Sequence, residues 1–160
     1  MTNELMTAIE AMDPAALEAL GLGIGAVIIL TLVFALIRYL MIAIGQSKMY
    51  RKAGVAGWKA FIPVYDTYNN YKISWNGKMF FLFAALVIAS RFLAMYTEGA
   101  LAFVSIAASI GVIYMAVKQN LNMAKCFGKG VGTAIALILF PGITSLVLGL
   151  GKAEYKAITE

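Results

Sequence analysis

Two long stretches of apolar side chains with almost no charge constrain this sequence more than any other feature. They cover residues 21–44 and 79–117. An apolar helix needs about 20 residues to cross a hydrocarbon core about 30 Å thick. A single small domain cannot bury so much apolar surface, because 62% of the residues are hydrophobic and 13% are charged, against about 45–50% and about 25% in soluble domains. We therefore expect an all-α, polytopic protein of the cell membrane.

The hydropathy pattern predicts about four transmembrane helices and divides the chain accordingly. Only Thr97-Glu98-Gly99 separates the second span from the third, which predicts a tight helical hairpin. Pro141-Gly142 predicts a kink within the fourth span. The expected segments are an acidic amphipathic arm (1–20), the first span (21–44), a loop (45–78), the second span (79–96), the third span (100–117), a loop (118–130), the fourth span (131–150) and a tail (151–160).

The basic residues predict the orientation of these spans. Loops 45–78 and 118–130 are rich in lysine and arginine, whereas residues 1–20 carry four acids and no basic residue. Positive loops stay in the cytoplasm, so both termini are predicted to be extracytoplasmic. Lys152 and Lys156 in the tail are a mild contrary signal. The acidic start also argues against a signal peptide.

The loop 45–78 is too aromatic for a plain solvated connection. If Pro63 begins a short helix over residues 63–75, four aromatic side chains fall within a third of its circumference, namely Tyr65, Tyr68, Tyr71 and Trp75. Such rings, together with Trp58, favour the headgroup region, while Lys125 and Lys129 suit anionic headgroups on the cytoplasmic side. An interfacial helix is one interpretation, and an aromatic lid over a cytoplasmic-facing cavity is the other.

The composition gives no support for polar catalysis. The chain has no histidine and a single cysteine, Cys126, so we expect no disulfide, no metal site and no cofactor. Gly128-Lys129-Gly130 lacks the upstream glycine and the following Ser or Thr of a phosphate loop. The net charge of +5 is spread beside apolar runs, which argues against nucleic-acid binding. The sequence therefore predicts a protein that is not an enzyme.

Two groups of motifs resemble a known family. Gly57-Trp58-x-Ala60-x-Ile62-Pro63-x-Tyr65, followed by Ala124-Lys-x-Phe127-Gly-Lys-Gly130, is similar to small prokaryotic multi-pass membrane proteins of unknown function, some of which are labelled signal-peptidase-like. The resemblance covers about residues 50–155 and implies no established activity. A Ser–Lys peptidase would need an exposed hydroxyl beside a lysine in an extracytoplasmic domain. The serine–lysine neighbours here fall in loops predicted to be cytoplasmic.

Charged and small residues within the predicted spans are further candidates. Arg38 and Arg91 are the ionisable residues well inside them, and such residues are costly in lipid unless they snorkel or pair. Arg91 precedes Glu98 by two helical turns, which makes a long ion pair conceivable. Spaced small residues allow close helix packing, either within the bundle or between copies of the chain, and the third span offers Ser105, Ala107, Ser109 and Gly111.

These features leave two functional hypotheses. The first is a non-catalytic accessory, scaffolding or regulatory subunit of a membrane complex, which would dock through the acidic arm and the aromatic helix. The second is a small oligomeric channel or transporter for an anion, a lipid or an apolar solute. The expected partners are membrane lipids and either a protein partner or further copies of the chain.

Overall fold

The computed structural model describes residues 13–95 and 99–158, and within this part all regular secondary structure is helical. The all-α prediction is therefore confirmed. The elements are α1 (Pro14–Lys52), a 3-10 helix (Gly57–Phe61), α2 (Pro63–Ser74), α3 (Gly77–Leu93), α4 (Ala100–Cys126), α5 (Val131–Leu139) and α6 (Pro141–Leu150). The chain divides into two compact units, Met1–Tyr39 and Leu40–Glu160.

Helix α1 is one continuous helix of 39 residues, where the sequence predicted an arm (1–20) followed by a span (21–44). Pro14 begins it, and the Asp13 carboxylate accepts a hydrogen bond from the backbone N–H of Ala15 at 3.4 Å, which satisfies a donor that the first turn leaves free. Residues 3–12 of the predicted arm lie outside the described residues. In the first unit, the described side chains after residue 18 are almost all exposed and mostly apolar.

Two described helices are long and apolar enough to cross a membrane. They are Glu18–Lys52 within α1 and Leu101–Cys126 within α4. Their apolar side chains are largely exposed, as expected for helices that face lipid. These two helices support a membrane location.

Helices α3 and α4 form the antiparallel hairpin that the sequence predicted over 79–117. Gly99, with φ +69°, stands before α4 where a side chain would be strained. The Ser105 hydroxyl donates to the Ser90 carbonyl at 3.4 Å, and Gly111 lies against Leu86. Helix α4 continues to Cys126, so it also contains most of the loop predicted over 118–130.

The segment predicted as a kinked fourth span is two separate helices. Helix α5 has nine residues and helix α6 has ten, and Phe140 between them leaves the helical conformation with φ −130° and ψ 62°. Pro141 has no N–H to give to the carbonyl of Leu137, so a continuous helix would lack that bond. Instead the chain starts a new helix, with Pro141 in its first turn.

Helix α6 runs back alongside the end of α1 in a parallel direction. Gly142 lies against Met41, and further along Gly45 lies against Ser145. A Cβ built on Gly45 would be 2.6 Å from the backbone nitrogen of Leu146. Because only glycine leaves room for this approach, Gly45 fixes how closely α1 and α6 pack.

The end of α6 is fixed by the ammonium group of Lys52. It donates to the carbonyl oxygens of Leu148 at 2.7 Å, Gly151 at 2.7 Å and Ala153 at 2.9 Å. These bonds use all three ammonium donors and satisfy carbonyls that the helix end leaves free. They also place a positive charge at the negative end of the helix dipole.

The tail after α6 therefore returns to the ends of α1, α2 and α4. The Tyr155 hydroxyl donates to the Ile73 carbonyl at 2.8 Å, and the backbone N–H of Lys156 donates to the Cys126 carbonyl at 2.7 Å. The Phe127 ring contacts the Tyr155 ring with centroids 5.8 Å apart. The hydrophobic core lies at this end and consists of Met49, Tyr50, Ala60, Ile73, Met123, Cys126, Phe127, Leu137 and Leu148.

We expect Gly45→Ala to lower the free energy of unfolding by about 1–3 kcal/mol, because a methyl group there overpacks the contact with α6. Gly132→Ala in α5 is the matched control, since a Cβ there meets nothing within 4 Å and alanine favours a helix. Thermal unfolding of both variants in detergent measures the difference. Equal melting temperatures for the two variants would contradict the close approach at Gly45.

Candidate functional site: a polar cavity beside Asp66

A cavity of about 460 Å³ lies inside the second unit, between the end of α1, α2, α4 and the α5–α6 turn. Its polar lining residues are Gln46, Asn70, Gln119, Asn120 and Ser145. Its apolar lining residues are Met49, Ile113, Ala116, Val117, Met123, Leu137, Ile138 and Pro141. A mostly apolar wall with a few convergent polar groups is the usual form of a small-molecule site, and the volume falls within the usual range of about 300–1,000 Å³.

The carboxylate of Asp66 lies behind this wall in a hydrogen-bonded cluster. The Tyr50 hydroxyl donates to Asp66 Oδ1 at 2.6 Å and lies 2.7 Å from the Asp66 carbonyl oxygen. Asn70 Nδ2 lies 3.4 Å from Asp66 Oδ2. With its amide turned so that the nitrogen faces the carboxylate, Gln46 donates to Asp66 Oδ2 at 2.9 Å, the orientation that satisfies both groups.

Burial raises the pKa of the Asp66 carboxyl from 3.8 to about 6, although the Tyr50 hydrogen bond acts in the opposite direction. Desolvation disfavours the charged carboxylate, while a donor to that carboxylate favours it. Near neutral pH the group is therefore ionised but closer to protonation than an exposed aspartate. A carboxyl group with these properties beside a cavity is a candidate functional group.

The aromatic residues predicted to line an interface occupy three kinds of position. Trp58 and Tyr65 are exposed, with ring centroids 6.0 Å apart. Tyr68 packs edge-on against Phe80, and Trp75 is half-buried under the Lys118 ammonium. Tyr71 is only 3% exposed.

Tyr71 therefore departs from the expected lipid-facing arc. Its ring packs against the Phe83 ring at 5.2 Å, and burial raises the pKa of its hydroxyl to about 12. The predicted short helix exists as α2, with Pro63 in its first turn. Part of its aromatic face packs on α3, because burying rings against an apolar helix gains more than leaving them at a surface.

The structure brings Arg91 and Ser109 together, whereas Arg38, the other charged residue predicted inside a span, belongs to the first unit. Arg91 and Ser109 line a cleft of about 290 Å³ between α3 and α4, with Val87, Ser90, Ala94, Val112 and Ile113. Arg91 is exposed, and its suggested partner Glu98 lies outside the described residues. Arg38 is exposed within α1, well before the last residue of that helix.

The remaining residues singled out in the sequence lie at different places in the structure. Lys125 and Lys129 are exposed at the end of α4 and just beyond it. Of the small residues on α4, Ser105 and Gly111 contact α3, as intramolecular packing predicts. Ala107 and Ser109 are exposed. The closest helix approach in this unit instead uses Gly45, which was not singled out in the sequence.

Sequence reasoning missed the cluster around Asp66. Its members, Gln46, Tyr50, Asp66 and Asn70, lie on two helices joined by a loop, and the pairs Gln46/Tyr50 and Asp66/Asn70 are each four residues apart. That spacing places each pair on one helix face, which is a signal that could have been used. No group of three or more metal-ligating side chains occurs among the described residues.

We expect the raised pKa of Asp66 to appear as a pH dependence of stability. Between about pH 4 and about pH 6 the unfolded carboxyl is ionised while the folded one keeps its proton. The folded state then binds more protons, so stability falls as pH rises through this window and is level above it. Thermal unfolding of the wild type, referred to Asp66→Asn at each pH, measures this fall.

Glu154→Gln is the control for that experiment, because Glu154 is an exposed acid in the tail. Its melting temperature should follow the wild type across the same pH range. If the melting temperatures of the wild type and Asp66→Asn differed by a constant amount from pH 4 to pH 7, that result would contradict the burial of the Asp66 carboxyl.

Comparison with known proteins gives one family. The model of a family of unknown function, DUF5684, matches residues 58–157, which include α2 to α6 and most of the cavity lining. No curated protein and no solved structure gave a significant match. Since the match covers more than half of the chain, this protein belongs to the DUF5684 family.

Proposed function

We propose that this chain is a non-catalytic, multi-pass membrane protein whose cavity binds a small polar solute, as the binding unit of a small oligomeric transporter or channel. The observation that carries the proposal is the cavity of about 460 Å³, which is lined by five polar side chains and bounded on one side by the turn between two short helices. A broken helix is tolerated at membrane depth where it is buried in protein or lines a polar cavity. Transporters commonly bind their substrates at such interruptions.

In this proposal α1, α3 and α4 cross the bilayer, and α5 and α6 form a re-entrant hairpin. At 1.5 Å per residue, helices of nine and ten residues are about 14 and 15 Å long, half of a core of about 30 Å. The 17 residues of α3 lie at the lower end of the length that spans a bilayer. This arrangement replaces four spans with three and a hairpin.

The charge distribution supports this arrangement. Of the 13 lysines and arginines, only Arg38 and Arg91 lie well inside the predicted spans. The others lie in the connections 45–78 and 118–130 or in the tail, which packs against the end of α4 through Lys156. With the hairpin, Lys152 and Lys156 join the other cytoplasmic charges. The C-terminus is then cytoplasmic, and the N-terminus remains extracytoplasmic.

We expect Ala116→Phe to abolish solute flux through the reconstituted protein. Ala116 lines the cavity from α4, so a phenyl ring there fills the space that a solute occupies. Ala107→Phe is the matched control, since Ala107 is an exposed alanine of the same helix. Stopped-flow light scattering of proteoliposomes with urea, methylammonium or acetate gradients measures the flux. Wild-type permeability equal to that of empty liposomes, or equal flux in the two variants, would contradict the proposal.

A second function, an accessory subunit of a membrane complex, is favoured by a different observation. In the first unit, Gly21, Gly23 and Gly25 have nothing within 4 Å of an added Cβ. Gly21 and Gly25 are four residues apart and so lie on one face of the helix, a spacing that allows another transmembrane helix to approach closely. The exposed Trp58, Tyr65, Lys125 and Lys129 would then contact lipid headgroups in either function.

Native mass spectrometry of gently extracted protein distinguishes the two functions. The transporter proposal expects a closed homo-oligomer without foreign subunits. A stoichiometric foreign subunit that is lost in Gly25→Leu, and kept in Gly132→Leu, would establish the accessory function instead.

A further inference from the structure

A carboxylate lies next to the polar wall of the cavity. The polar lining residues are uncharged amides and a hydroxyl, and no described lysine or arginine lines the cavity. The carboxylate next to it is Asp66, bonded to Gln46 and Asn70, which both line the wall. In residues 13–95 and 99–158, no lysine or arginine forms an ion pair with Asp66. The cavity is therefore adjacent to an uncompensated negative charge.

Other groups at the wall add acceptors. Ser145 is 2% exposed and lines the cavity, and its hydroxyl has no hydrogen-bond partner within the described part of the chain. The carbonyl of Leu137 lacks its helical donor because Pro141 has no N–H. Leu137 also lies in the last turn of α5, where the helix dipole is negative. A ligand that brings positive charge and donors would satisfy these groups.

The composition of the wall also limits the kind of cation. A divalent metal ion takes six or more oxygen ligands, usually with several carboxylates, and no cluster of three candidate ligands occurs among the described residues. An anion would have to lie beside the Asp66 carboxylate without a basic residue, which is unfavourable. A compact ammonium group has three hydrogen-bond donors and one positive charge. Its donors can bond to the amide oxygens and the hydroxyl of the wall, and its charge is attracted to the nearby carboxylate.

The cavity has an apolar side that opens at the bundle surface. Ile113 and Ile138 line it and are 63% and 46% exposed. An ammonium group carried on a short apolar chain can place its charge at the amides and its chain along this apolar side. A lipid with an amine headgroup could reach the same site from the membrane.

We propose that the cavity binds a primary alkylammonium group, with Asp66 supplying the counter-charge through Gln46 and Asn70. The inference rests on the proposed function and names its ligand class. The ammonium donates to the cavity-facing oxygens of Gln46, Asn120 and Ser145, and the Asp66 carboxylate orients the Gln46 amide by accepting from its nitrogen. Asp66 is thus a positioning residue, and the amides contact the ligand.

Isothermal titration of the full chain in detergent at about pH 8 tests this assignment, with methylammonium as the probe. We expect saturable binding, weakened about tenfold in Asp66→Asn, because that variant removes both the nearby negative charge and the carboxylate that orients the Gln46 amide. Glu154→Gln, which removes an equal charge from the exposed tail, should bind like the wild type. Tetramethylammonium, which has the charge but no N–H donors, should bind about tenfold more weakly than methylammonium.

A second variant keeps the test decisive if Asp66→Asn does not fold. Asn120→Leu removes a wall amide that donates to the Ala116 carbonyl within its own helix, and it should also weaken methylammonium binding. Native mass spectrometry with ethanolamine-headgroup and choline-headgroup lipids separates the two sources of the ligand. If the protein selectively retains the ethanolamine lipid, the ligand is a lipid headgroup. If it binds methylammonium but does not retain that lipid, the ligand is a free amine.

The outcomes that overturn the inference differ from those that overturn the proposed function. Binding of urea or acetate without methylammonium would refute the ammonium site and leave a solute-binding cavity. Methylammonium binding that is unchanged in both Asp66→Asn and Asn120→Leu would also refute it. If urea, acetate and methylammonium all failed to bind and none showed flux, both the ammonium site and the proposed function would be refuted.

Discussion

The packing of α6 along the end of α1 determines where the last third of the chain lies. Gly45 allows the two backbones to approach within a distance that any side chain would prevent. Lys52 then fixes the end of α6 through three carbonyl oxygens. These contacts hold α6 parallel to α1. The Thr144 hydroxyl of α6 donates to the Ala136 carbonyl of α5 at 2.9 Å, so the chain reverses at the interruption at Phe140 and Pro141. The tail is consequently brought to Ile73 and Cys126.

This reversal also creates the candidate site. The two short helices and their turn supply Leu137, Ile138, Pro141 and Ser145 to the cavity lining. The wall then combines the amides of Gln46 and Asn70 with the free hydroxyl of Ser145. Asp66 is held behind the wall by Tyr50. The same backbone break thus accounts for the short helices, the cavity and the returned tail.

Much of the fold follows from sequence pattern, because hydropathy and helix-start residues act locally. The α3–α4 hairpin and the start of α2 at Pro63 were predictable for this reason. The reversal at Phe140 was not, because a proline in an apolar run predicts a kink as readily as a break. The cluster around Asp66 depends on the contact between α1 and α2, and Tyr71 is buried because α3 covers it. These contacts are long-range, so one sequence does not define them.

The sidedness of the C-terminus tests the reversal most directly. In a Cys126→Ser background, single cysteines at Ala157, Lys129 and Met95 can be labelled with an impermeant maleimide in vesicles of known orientation. All three positions are exposed, and Met95 follows α3 at the opposite end of the bundle from Cys126. We predict that positions 157 and 129 react from one face and position 95 from the other. Labelling of positions 157 and 95 from the same face would show that residues 131–150 cross the membrane and would contradict the hairpin.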